Sequence, residues 1–321
     1  MKKISVLLVV TATLFMMSSC SNKNGNEPET TTQNTETSAE QTEASTETTE
    51  TNETNETNET IEANDREILS AFEALGGANK VDLVKMSVYL KENIEKVSAE
   101  TSDLMVRLYE SVQMQLLPTY QDAFFVPSIQ SMLLSYSIED LRQNKVKEEA
   151  IKALLTEATS VGYKIEAIEG TVAPYVDYGY FAQFAEYTTE PTSAFFELMK
   201  IESDAPSQKD AALIIPWEDV LKRGNNFETY LASYPDSYYS DRVRMHLEGY
   251  TNLAINGSAN VPLFEFDTNR MNTEAKAAYS AFVDQGLQTE FATLIKNYMT
   301  LLKTHDFVKT AEVEAFISEY N

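Results

Sequence analysis

Cysteine and tryptophan each occur once in the 321 residues, and histidine twice. A lone thiol cannot close an internal disulfide, and one Cys with two His cannot complete a zinc site at ordinary ligand spacing. The two imidazoles, His246 and His305, fall in separate stretches with helical pattern. No G-x-S-x-G elbow accompanies them to suggest a serine nucleophile. The phosphate-cradling patterns G-x-x-x-x-G-K-[ST] and G-x-G-x-x-G are missing, as is the EF-hand loop, so no cofactor and no metal are expected. Basic residues are scarce too: 25 Lys and Arg face 50 Asp and Glu, a formal charge of −25. Such a surface repels phosphate backbones, which argues against nucleic acid as a partner. After residue 20 no run approaches the ~18 apolar residues of a membrane-spanning helix.

What is present begins at the N-terminus. Lys2 and Lys3 precede an apolar run, Ile4 to Met17, of signal-peptide length. The run closes in Met17-Ser18-Ser19-Cys20, which resembles the lipobox of bacterial lipoprotein precursors, with Met17 where that family usually has Leu. The resemblance implies cleavage before Cys20, acylation of that cysteine, and attachment to the extracytoplasmic face of the cell membrane through two or three acyl chains, palmitate among them. Residues 1–20 are thus expected to be a signal peptide with Cys20 as first mature residue.

Residues 21–60 hold ten Glu against one Lys and close in TNETNETNET. With almost nothing apolar to bury, they are expected to form a disordered acidic tether. Residues 61–321 carry 40 acids and 22 bases and have the apolar content of a folded domain.

Helical spacing dominates that domain. The pattern predicts helices over Ile68, Leu69, Phe72 and Leu75 up to Gly76-Gly77, over Leu83 to Val97, and from a Thr101 or Ser102 cap to just before Pro118. A helix through Met132 and Leu134 is expected next, then one that Ser137 and Asp140 open and that runs to about Thr159. From Val161 to Tyr178, alternation around Glu169-Gly170 predicts a β-hairpin, with Pro174 confining its strand to an edge. Pro191 and Pro216 suit helix starts, and Gly224 suits a helix end. Asn256-Gly257 marks a turn, VPLFEFD an extended segment, Asn272 or Thr273 a cap, and Leu287 to Leu301 and Thr310 to Tyr320 two last helices. The fold class expected is mainly α: an irregular helical domain of antiparallel hairpins with a minor β-hairpin.

Within it, residues 226–250 place Phe227, Tyr230, Leu231 and Tyr234 on one helix, Pro235-Asp236-Ser237 at a break, and Val243, Leu247 and Tyr250 on the next. This resembles the helix-turn-helix unit of tetratricopeptide-type repeats in bacterial envelope lipoproteins, where an aromatic helix ends at Tyr-Pro-x-Ser. No second copy follows at the repeat's period.

Candidate site residues come from two groups. Glu202, Asp204, Asp210, Glu218 and Asp219 cluster around Trp217, and a glycosidase needs two carboxyl groups beside a sugar. Glu202-Ser203 is similar to the Glu-Ser pair of lytic transglycosylases, whose Gly-Leu-Met-Gln segment is missing here. Glu202, Asp204 and Glu218 are therefore the catalytic candidates. Tyr238, Tyr239 and Trp217 are the binding candidates, since aromatic rings with a polar tip favour interfaces. The function expected is a membrane-anchored binding or scaffold module at the bacterial envelope, its partner another envelope protein or a cell-wall component. The alternatives are a cell-wall glycan hydrolase acting near Glu202 and the solute-binding lipoprotein of a transporter.

Overall fold

The computed structural model describes residues 50–320, with side chains from Glu62 onward. The expectations for the signal peptide, Cys20 and residues 21–49 lie outside the described residues. The first helix, α1 (Glu50–Gly76), begins within the segment expected as tether. Gly76 ends the helix as expected, and α2 (Leu83–Asn93) follows behind an Asp82 cap.

Next, α3 (Ala99–Phe124) is the axis of the N-terminal half. Its cap is Ser98 rather than Thr101 or Ser102, because Asp65 of α1 accepts from both the Ser98 amide (3.0 Å) and its hydroxyl and fixes the chain there. Nor does Pro118 lie past its end: the helix continues six residues beyond it, to Phe124. Pro118 is exposed. The helix is held beyond that point by Phe124, which is fully buried. This burial outweighs the donor that proline removes.

Next come α4 (Pro127–Leu133) and α5 (Ile138–Arg142), the latter capped by Ser137 as expected. The single helix anticipated to Thr159 is instead broken, α6 being Glu149–Ser160. Asn144 takes a left-handed conformation (φ 52°) and its amide donates 2.8 Å to Thr156 Oγ1, so α5 stops and turns back. The expected hairpin is β1 (Tyr163–Ile168) with β2 (Thr171–Val176), antiparallel, with Ile165 opposite Pro174. Its two-residue turn holds Glu169 and Gly170 at positive φ, which fits the twist of the strands.

The C-terminal half starts with α7 (Tyr178–Ala182) and α8 (Glu190–Asp204), then a small hairpin of β3 (Gln208–Lys209) and β4 (Ala212–Leu213). Around α9 (Trp217–Ser233) pack α8, α10 (Ser240–Asn256), α11 (Thr273–Asp284) and α12 (Glu290–Thr304), and α13 (Ala311–Ser318) closes on α12. Gly224 does not end its helix. It sits mid-α9 because the Phe291 ring of α12 lies against it, leaving no room for a Cβ.

The fold is mainly α with thirteen helices and two small antiparallel hairpins among the described residues. No parallel strand pair occurs among those residues, so they do not form the two α/β lobes that a transporter's solute-binding lipoprotein would need.

Candidate functional site

Between the end of α8 and the outer face of α10 lies a cleft of about 520 Å³. Glu202 is among its lining residues, two residues before the last residue of α8, with its side chain only 13% exposed. One carboxylate oxygen accepts from Arg223 Nη1 (3.2 Å) and the other from the Tyr250 hydroxyl (2.6 Å). The same Arg223 nitrogen donates to the Ala205 carbonyl at 2.7 Å, tying α9 to the chain leaving α8. Burial pushes the Glu202 carboxyl above the usual carboxylate range, and the bonds from Tyr250 and Arg223 pull it only part of the way back.

On α10, His246 and Tyr250 are one turn apart and both stack on Phe227 of α9, at 5.1 and 5.5 Å between ring centroids. Burial, and then the positive charge of Arg242, depress the His246 imidazole below its ordinary value, which favours the neutral ring at pH 7. Neutral imidazole, buried carboxylate and tyrosine hydroxyl thus share one cleft with Ser207, Gln208 and Met245. The sequence carried one signal for this grouping, the four-residue spacing of His246 and Tyr250. Arg223 had none, because its partners lie on other elements.

The other carboxylates expected with Glu202 are placed elsewhere. Asp204, exposed, pairs with Lys200 one turn back on α8. Asp210 is exposed in the tight turn between β3 and β4. Glu218 and Asp219, in the first turn of α9, line a different cavity with Phe282 and Leu287. Glu202 therefore lacks the facing carboxylate that glycoside hydrolysis uses among the residues lining its cleft. Among the described residues no group of three or more His, Cys, Asp or Glu is arranged to hold a metal ion.

The aromatic candidates divide. Trp217 is 5% exposed and packs against Tyr279, so it is a core residue rather than a sugar platform. Tyr239 is also core, its ring stacked on Phe195 at 3.8 Å. Large rings contribute most when fully desolvated, which explains both corrections. Tyr238 alone is a surface residue, 61% exposed, with the Arg107 guanidinium 4.6 Å from its ring centroid.

Beneath Tyr238 runs a polar seam that sequence reasoning missed. Glu110 of α3, almost fully buried, pairs with Arg242 of α10 and accepts from the Tyr178 hydroxyl at 2.7 Å. Two turns away on α3, Asp103 accepts from the Thr189 amide at 3.0 Å and from Arg107 at 3.0 Å. These bonds join the N-terminal half to α8 and α10. His305, near the end of α12, pairs with Glu312 and lies apart from this chemistry. No protein-family model, curated protein or solved structure matches this chain.

Proposed function

We propose that this protein is a lipid-anchored module on the extracytoplasmic face of a bacterial cell membrane, which binds or scaffolds rather than catalyses. The anchor rests on Met17-Ser18-Ser19-Cys20 and the acidic segment that follows it. The observation that carries the binding role is Glu202. Both its oxygens are bonded inside the protein, so this carboxylate braces the wall of a cleft instead of facing a second acid across it. Small-molecule sites are usually preformed in this way, whereas glycoside hydrolysis uses a pair of carboxyl groups flanking the scissile bond. The partner is another envelope protein or a cell-wall component, met at this cleft or at the surface around Tyr238.

The test is membrane fractionation and cross-linking capture from intact cells through a tag after Asn321. Full-length protein should fractionate with membranes, and Cys20→Ser should release it to the soluble fraction. A discrete envelope component should cross-link to the wild type. Membrane retention of Cys20→Ser would remove the anchor, and capture of nothing above the tag control would remove the binding role.

A second reading, a glycan hydrolase, draws support from the raised proton affinity of Glu202, a property suited to a general acid. It requires soluble fragments from purified cell wall that Glu202→Gln no longer releases. If wild type and Glu202→Gln release equally little, this reading fails.

A further inference from the structure

The geometry points to the Glu202 cleft as a binding site for an uncharged saccharide. This inference rests on the binding-module reading and names its ligand class.

Charge narrows the choice first. The ionisable groups lining the cleft are Glu202, His246 and Tyr250, the last kept as a neutral phenol by burial, and no Lys or Arg is among the lining residues. An anionic ligand would meet no cation in the lining and the field of a chain with charge −25. A cationic ligand would be drawn by that same field, but the one carboxylate it would meet in the lining is already paired with Arg223 and bonded by Tyr250. A ligand without charge needs neither a cation nor a free carboxylate from the lining.

Hydrogen bonding narrows it next. Ser207 and the Gln208 amide can both donate and accept, as sugar hydroxyls do, and they sit on the β3 side of the cleft opposite α10. Ser207 is already bonded to the Tyr250 hydroxyl, so a purely apolar ligand would take water chiefly from the Gln208 amide and give it nothing in return. The apolar part of the lining is Pro206, Met245 and Leu253, with His246 beside them. One face of the imidazole is covered by Phe227, so the ring offers the cleft a rigid flat surface of the kind that packs against the C–H face of a pyranose. The volume of about 520 Å³ lies within the range of small-molecule sites.

Gly249 supplies the means to test this without disturbing the core. It lies on the cleft side of α10, and a Cβ there would meet no atom within 4 Å. A larger side chain can enter the cleft while improving helix propensity. The probes are cellobiose, maltose and chitobiose, with glucuronate and glucosamine as charged counterparts. They are titrated calorimetrically into the full chain in a detergent lacking a sugar headgroup. At least one disaccharide should bind in preference to the charged sugars. Gly249→Phe should weaken that binding by about tenfold or more with no fall in melting temperature. Should Gly249→Phe fold poorly, Gln208→Ala, on the exposed strand β3, should give the same direction. Three results would overturn the inference: silence from all three disaccharides, preference for a charged sugar, or undiminished binding by the variants. Cross-linking capture run in parallel separates the two levels. Capture without sugar binding overturns the saccharide and leaves the module, while sugar binding without capture supports the site and removes the protein partner.

Discussion

Gly224 of α9 and Phe291 of α12 touch so closely that a Cβ on residue 224 would lie 2.4 Å from the Phe291 Cζ. Gly224→Ala should gain about 1 kcal/mol of helix propensity and lose more to overpacking, for a net destabilisation of roughly 1–2 kcal/mol. Urea denaturation measures it. Phe291→Leu in the same chain should recover part of the packing loss, and an Ala variant as stable as wild type would refute the close approach.

Pro118 is the opposite case, an exposed residue inside α3 that removes one helix hydrogen bond. Pro118→Ala should stabilise the protein, by up to about 2 kcal/mol once the extra freedom of the unfolded chain is deducted. A lower melting temperature in the variant would mean that the helix needs the proline.

Glu110 and Arg242 hold the two halves together, with Glu110 2% and Arg242 31% exposed at the side chain. Replacing Glu110 by Gln leaves Arg242 without its counter-charge and should cost about 3 kcal/mol, the low end for breaking a buried pair, because Arg242 keeps access to water. The same change should expose α10 amides to hydrogen exchange before those of α2, which lies away from the seam. Uniform exchange in both helices would argue against the seam as the joint.

His246 sets a pH dependence. Its folded-state proton affinity is depressed below the ordinary 6.5, by burial first and Arg242 second. As pH falls, the unfolded chain takes up this proton before the folded one does. The stability it contributes is therefore present above pH 6.5 and lost as pH falls through the lower folded value. Melting temperature should decline more steeply on acidification in wild type than in His246→Gln, which cannot titrate. Parallel declines would show that the ring is not held neutral.

Local chemistry was legible in the chain. Gly76 stopping α1, Ser137 opening α5, Pro191 in the first turn of α8, Asn272 capping α11 and the Glu169-Gly170 hairpin turn all follow from groups within a few residues of one another. The apolar stripes likewise marked buried faces, Leu83, Met86 and Leu90 among them, because burial on a helix recurs with its own period. Tertiary structure decided everything that depends on a distant partner. Phe291 makes Gly224 a packing glycine instead of a terminator, and Asp65 moves the α3 cap to Ser98. Of two adjacent tyrosines, identical in side-chain chemistry, Phe195 buries Tyr239 and leaves Tyr238 outside. Among five neighbouring carboxylates, Arg223 and Tyr250 select Glu202 and draw it into a cleft with His246. Caps and periods are short-range properties of the backbone, while burial and charge pairing belong to surfaces that exist only once the helices have packed.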